Sequence, residues 1–264
     1  MIRIHLLLLL CSVSLFAKVH YAKVEPFEEI TLKSAVSAQV VMTQRNLEGT
    51  TVTNKRIIQL DQKMDHIELK SSQKGLKLLK KMSHINQKIL LSLKESLQRQ
   101  EAYYQRIKDL SSASLTQKDN AFYGYINTKN QYLSTQEKID TLKKQQLDLE
   151  YKIALLQDRI QKKEIRIKNK FLYKILVNQG DFVNAGTPLA KVKDLTRAKL
   201  VLFLEQDELK DLPKKTIYIN DKPTQYKINK RWLVSDEKFI SSYRAEIYIK
   251  PHNNFSKLLK VELK

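Results

Sequence analysis

From about Asp61 to about Lys168, apolar residues recur every three or four positions, and the pattern breaks once. The break, Asp109-Leu-Ser-Ser-Ala-Ser-Leu-Thr116, is rich in the small polar residues that favour turns and helix caps. Upstream, Leu69, Leu76, Leu90, Leu97 and Tyr104 share one seven-residue row with Ser83 as its polar member, and Leu79, Leu93 and Ile107 share its companion. Downstream, Tyr132, Ile139, Ile153, Ile160 and Ile167 make one row, and Leu142, Leu149 and Leu156 the other. This is the spacing of a coiled-coil seam. No proline lies between Pro26 and Pro188, so only the central turn forces a helix to stop. Arms of about 49 and about 52 residues each reach about 75 Å. Equal arms joined by a short loop fold back as an antiparallel hairpin. Gly75, inside the first arm, costs about 1 kcal/mol against alanine and marks an expected weak point. Taken alone, the block also fits a generic coiled coil that dimerises through the same seam.

The chain opens on a basic start, an apolar run through Leu10 and a small residue at Ala17, the pattern of a cleavable secretory leader (residues 1–17). The run is shorter than the roughly 20 residues that span a bilayer. Ala22 is a second candidate cleavage point. Cys11 is the only cysteine, and it follows leucines where a lipidation signal wants a small residue. Cleavage leaves a mature chain without disulfides or cysteine metal sites.

The 48 Lys+Arg against 28 Asp+Glu give a net charge of +20. Nucleic acid, an anionic membrane surface, and plain solvation of helix faces all fit such a balance. The last is adopted, because Lys77, Lys80, Lys81, Lys143, Lys144, Lys162 and Lys163 fall between seam positions and are expected to point outward. An exported protein rarely meets nucleic acid, so none is expected as a partner.

Before the helical block, 28–33 and 35–41 show β-branched residues in partial alternation, and Gly49 followed by Val52 and Ile58 reads as strand–turn–strand. Asp61 is the expected cap of the first long helix. After the block, Phe171 to Val192 repeats the earlier motif at an offset of 131: Gly49 meets Gly180, Val52 meets Val183, and Ile58 meets Leu189. One β motif is thus expected to be cut in two by the hairpin, with Val52 and Val183 facing its core. Further strand candidates lie at 199–204, 216–219, 226–234, 243–249 and 258–263.

The run Gln179-Gly180-Asp181-Phe-Val183-Asn-Ala-Gly186-Thr-Pro-Leu189, followed by Val192-Lys-Asp194-Leu, is similar to the second half of a lipoyl or biotinyl carrier motif. Its split around a coiled-coil hairpin resembles the membrane fusion proteins of the hemolysin-secretion family, the periplasmic adaptors of tripartite efflux pumps and type I secretion systems. The resemblance implies an α+β fold: a long antiparallel coiled-coil hairpin (62–168, tip about 109–116) inserted into a split lipoyl-like β domain (24–61 and 169–197), followed by a small β-barrel (198–264). The lipoyl-like turns would be carried by Gly49, Val52, Gly180, Asp181, Val183 and Gly186. The implied function is to link an inner-membrane transporter, of the resistance-nodulation-division type first and an ABC-type or type I system second, to an outer-membrane channel. The implied location is the periplasm, at the inner membrane through the pump, and the implied assembly is a trimeric or hexameric ring. Channel-docking members of the family resemble one another at the hairpin tip, with an Arg, a Leu four residues on, and a Ser seven beyond. Here Arg106 and Leu110 keep the first spacing; Gln117 stands at the strict third position and Thr116 supplies a hydroxyl one residue early, where it is expected to cap the second helix.

Nothing points to catalysis or a cofactor. His5, His20, His66, His84 and His252 are scattered, with no carboxylate or second His at ligand spacing. Met1, Met42, Met64 and Met82 are dispersed. There is no phosphate-binding glycine loop or nucleophile elbow. The lysine that a carrier domain would present at its hairpin is replaced by the helical block, which argues against a carrier subunit of an enzyme. The rival of another class is an exported structural coiled-coil protein.

Overall fold

A computed structural model of the chain describes residues 18–235, 241–251 and 255–264. The leader with Cys11 and Ala17, together with His5 and His252, lies outside the described residues.

The described chain enters on β1 (Val19–Lys33), which runs through both β cores of the molecule. The first half of the divided motif follows as β2 (Ala38–Thr43), β3 (Thr51–Val52) and β4 (Lys55–Leu60). Helices α1 (Lys63–Lys108) and α2 (Leu115–Lys162) then form the hairpin. The second half returns as β5 (Glu164–Ile167), β6 (Lys170–Ile175) and β7 (Phe182–Val183), and β8 (Pro188–Leu204) leads out alongside β1. The last strands are β9 (Ile217–Ile219), β10 (Lys222–Pro223), β11 (Ile228–Arg231), β12 (Tyr243–Ile249) and β13 (Leu258–Leu263).

The helices are close to the expected length, about 70 Å each at ~1.5 Å per residue. Helix α1 is unbroken at Gly75. A Cβ there would stand 3.2 Å from the Leu149 side chain, so the missing methyl lets the opposite helix pack close. The heptad rows carry α2 to Lys168, but the helix ends at Lys162. Ile165 and Ile167 alternate with polar residues, and β5 pairs with β4, so Ile167 goes into the β core instead of the seam. Alternation with a waiting strand edge outweighs one further heptad. At the first helix the N-cap position is Gln62, yet the Asp61 carboxylate still accepts the Lys63 N–H at 3.0 Å.

Both halves of the divided motif contribute to a single core. Val40, Val52, Ile57, Ile58 and Leu60 come from before the hairpin, and Leu172, Ile175, Val183, Leu189 and Val192 from after it. Val52 is 3% exposed and Val183 2%. The two-residue strands around these valines are exchanged between halves: β3 pairs with β6, and β7 with β2. The hairpin ends must therefore meet where the core closes.

The C-terminal core gathers Leu200, Leu202, Leu204, Ile217, Ala245, Ile247, Leu259, Val261 and Leu263. It also takes Ala22 and Val24 from the start of β1, so this unit is not confined to residues 198–264. Alternating inward positions on β1 are filled because that strand pairs with β13 from Val19 and with β8 from Val24. Within the candidate strand 226–234 only Ile228–Arg231 is a strand, and Leu233 and Val234 are exposed.

Candidate functional site

The hairpin tip is built by two helix ends. Helix α1 stops at Lys108 with Arg106 in its last turn, where a cation meets the negative end of the helix dipole. Helix α2 starts behind Ser114, whose hydroxyl accepts the Gln117 N–H at 3.2 Å while the Gln117 side chain accepts the Ser114 N–H at 2.9 Å. This reciprocal capping box satisfies two otherwise orphaned donors. The cap is therefore Ser114, not Thr116, which lies inside the first turn with its side chain exposed. Gln117, the residue at the strict family spacing, is held by this box. Arg106 and Leu110 are exposed, Leu110 at 47%, and Leu115 beside them at 79%.

Directly behind the tip the seam turns aromatic. Tyr104 stacks on Tyr125 across the hairpin with ring centroids 5.7 Å apart and 4° between planes, and Phe122 tilts against Tyr104 at 5.5 Å. Large rings with few rotamers brace the two helix ends behind the turn. The tip thus offers one guanidinium and two exposed leucines backed by packed aromatic rings, which suits contact with another protein surface. Among the described residues, no group of three His, Cys, Asp or Glu side chains is placed to hold a metal ion.

The base of the hairpin holds residues that sequence reasoning missed. Extending the Leu79–Leu93–Ile107 row toward the N-terminus by sevens lands on Ser72 and Asp65, and its gaps hold Asn86 and Gln100. Asp65, Ser72 and Asn86 are the buried residues of α1. Row arithmetic on α2, from Leu142 through Leu156, lands on Lys163. Lys163, expected to point outward, is buried with its ammonium 2.5 Å from Asp65, and Arg159 approaches the same carboxylate at 3.3 Å. The rows carried this signal once polar members were allowed. His20 is the other miss: its Nε2 lies 2.6 Å from a Glu208 oxygen, a pairing across 188 residues that no local spacing reveals.

The turns of the divided motif match in detail. Gly49 and Gly180 both have positive φ, +76° and +97°, a backbone that side-chain-bearing residues rarely adopt. The Gly49 N–H donates to the Leu172 carbonyl, and the Gly180 N–H to the Val40 carbonyl, each at 2.8 Å. In return the Leu172 N–H donates to the Thr50 carbonyl and the Val40 N–H to the Asp181 carbonyl. The Asp181 carboxylate accepts the Asn178 N–H at 2.7 Å, and the Gly186 N–H donates to the Ser34 carbonyl at 2.7 Å. The two halves are related as a quasi-two-fold exchange, each turn held by the other half's strand.

No protein-family model matches the sequence, and no curated protein sequence matches it significantly. Solved structures do. The structure of MacA from Actinobacillus actinomycetemcomitans superposes with a TM-score of 0.63 at 15% identity, over 94% of this chain and 79% of that one. The membrane fusion protein Spr0693 from Streptococcus pneumoniae R6 gives 0.58 at 8% identity, over 94% and 99% of the two chains. A MacA-MexA chimera containing the α-hairpin domain of Pseudomonas aeruginosa MexA gives 0.50 at 15%, over 94% and 81%. At these identities the likeness is one of architecture, and it spans nearly the whole of this chain: an α+β fold in which a long helical hairpin interrupts curled antiparallel sheets. The chain has the fold of the membrane fusion proteins.

Proposed function

We propose that this protein is the periplasmic adaptor of a tripartite export assembly, joining an inner-membrane transporter to an outer-membrane channel. The observation that carries this reading is an antiparallel hairpin of about 70 Å standing on one β core whose two halves flank it. Such a hairpin places a docking tip far from the β units and transmits movement at its base to that tip. Among the described residues no helix is long and apolar enough to cross a membrane. Export fits removal of the leader at Ala17, since Ala22 is buried in β1 and cleavage there would strip away residues 19–22, which pair with β13.

In this reading the tip meets the channel. Arg106 donates its guanidinium fork to carbonyls of a channel helix, Leu110 is an apolar plug, and Thr116 presents its hydroxyl beside them. The β units face the transporter, and several copies form a ring. Arg106→Asp is expected to abolish export in a complementation assay while expression and helical circular dichroism stay at parental levels. Undiminished export by that variant would remove the tip as the docking site. Co-purification from membranes identifies the transporter, with a resistance-nodulation-division pump and an ABC-type exporter as the two outcomes.

A further inference from the structure

Among the described residues, the sheet around the C-terminal core is not closed by strand pairing. Its strand order is β10-β9-β13-β1-β8-β12-β11, so β11 ends one side and β9 with the two-residue β10 ends the other. Where the two ends approach, no ladder of hydrogen bonds among the described residues seals the curl. Full closure is what hides inward-facing side chains and edges, and an open seam leaves them reachable from outside.

The seam opens on a cleft of about 330 Å³, within the roughly 300–1,000 Å³ common for small-molecule sites. Its walls are Leu212, Ile217 and Leu263, all buried members of the C-terminal core, so the floor of the cleft is the core itself. Ile228 of β11 packs against the same core. Among the described residues, the lining carries three cations, Lys215, Lys227 and Arg231, and no carboxylate. The Lys215 ammonium donates to the Glu208 carbonyl at 3.2 Å; among the described residues neither Lys227 nor Arg231 has an acidic side chain within ion-pair distance. Several basic side chains of this unit are matched, Lys18 with Glu205, Arg244 with Glu246, Lys214 with Asp211 and Lys260 with Glu262. A chain of net charge +20 carries solvated lysines on many faces. Here three cations line one opening into an apolar core, so charge and apolar surface are offered side by side.

We infer that this seam binds an amphipathic anion, a single-chain carboxylate or sulfate. Its tail lies between Ile228 of β11 and the paired Ile217 and Leu263 of β9 and β13, and its headgroup meets Lys227, Arg231 and Lys215. Burial of the tail supplies the affinity, and the cations select the headgroup. The Arg231 fork matches the two oxygens of a carboxylate. A neutral amphiphile of equal length fills the cleft and leaves the lip unmatched, while a cationic one is repelled at the lip.

Calorimetric titration of the full chain with sodium dodecanoate below its micelle concentration tests the site, with 1-dodecanol and dodecyltrimethylammonium as comparators. Trp232 is the chain's one tryptophan and lines a surface hollow together with Arg231, so its fluorescence gives a second readout. Dodecanoate is expected to saturate a single site, dodecanol to bind at least about tenfold more weakly, and the ammonium compound not to compete. Lys227 and Arg231 are both exposed, so Lys227→Ala with Arg231→Ala should fold as the parent does by circular dichroism. That double variant is expected to lose at least about tenfold in dodecanoate affinity while dodecanol binding is unchanged. Equal affinity for all three amphiphiles, absence of saturable binding, or parental dodecanoate affinity in the folded double variant would each overturn the assignment.

Discussion

Asp65 and Lys163 show how much rests on single side chains at the hairpin base. The two sit on opposite arms, 98 residues apart in the chain, and their side chains are only 7% and 11% exposed. The Lys163 carbonyl also accepts the Leu60 N–H at 2.9 Å, so the same residue ties the end of α2 to the strand that leads into α1. Removing one partner of a buried ion pair strands the other, which costs about 3–5 kcal/mol, whereas replacing both with apolar groups is often close to neutral. Asp65→Ala is therefore expected to lower the urea midpoint strongly, and Asp65→Leu with Lys163→Met to recover most of the loss. A mild effect of Asp65→Ala would mean that water reaches Lys163. Asp194 marks the other junction, where β8 passes from one core to the other. The Lys170 ammonium at 2.5 Å and the Thr196 hydroxyl at 2.6 Å hold its carboxyl down to about 2, from an ordinary 3.8. A carboxyl whose folded value is depressed stabilises fully above its unfolded value, and that contribution is lost as pH falls. Parent and Asp194→Asn should thus differ in stability by a constant amount above about pH 4, and the gap should close as pH falls toward 2. A gap independent of pH would refute the ion pair.

At the scale of elements, the hairpin seam alternates apolar and polar layers. On the α1 row that runs from Asp65, leucines 79 and 93 are interleaved with Ser72, Asn86 and Gln100. The Asn86 amide is buried and donates to the Met82 carbonyl of its own helix at 2.8 Å, satisfying the donor without a partner across the seam. A buried asparagine in such a row costs stability and restricts register and partner choice. Asn86→Leu is expected to raise the melting temperature and at the same time produce higher oligomers on light scattering, because an all-leucine seam pairs with any similar seam. Higher stability with unchanged association would show that Asn86 specifies nothing. The helices were legible because a 3.5-residue repeat over more than a hundred residues has few alternatives. The meeting of the two halves in one core was legible through Gly49 and Gly180, which share a backbone conformation that sequence marks with glycine, while the exchange of β3 and β7 between halves was not. What stayed hidden depends on distance in three dimensions. Examples are the burial of Lys163, the His20–Glu208 pair, the passage of Ala22 and Val24 into the C-terminal core, and the β5 strand that ends α2 early. Each is decided by a partner strand or charge at least 98 residues away, to which local periodicity is blind.

At the scale of the molecule, the fold separates a rigid reach from two coupled β units. Strands β1 and β8 are continuous through both cores and pair along most of their length, so the C-terminal unit is joined to the divided core by a two-stranded girder instead of a flexible linker. The divided core in turn grips both helix ends. If the chain bridges two membrane components, the length of the hairpin is a functional quantity separable from its stability. The seam pairs residues antiparallel: Asp65 meets Lys163, the Tyr104 ring meets Tyr125, and the Gln146 amide reaches the Leu79 carbonyl. Deleting residues 83–89 together with 140–146 removes one heptad from each arm, keeps every remaining layer in phase, and preserves the tip and the base. The hairpin shortens by about 10 Å at ~1.5 Å per residue. The shortened chain is expected to fold, with parental β cores and a cooperative helical transition, yet to fail in export complementation. Restoring a heptad to each arm with unrelated seam-compatible sequence should restore export, because reach and not the identity of those residues is what was lost. Export at the parental level by the shortened chain would show that the hairpin is not a fixed spacer between two membrane components.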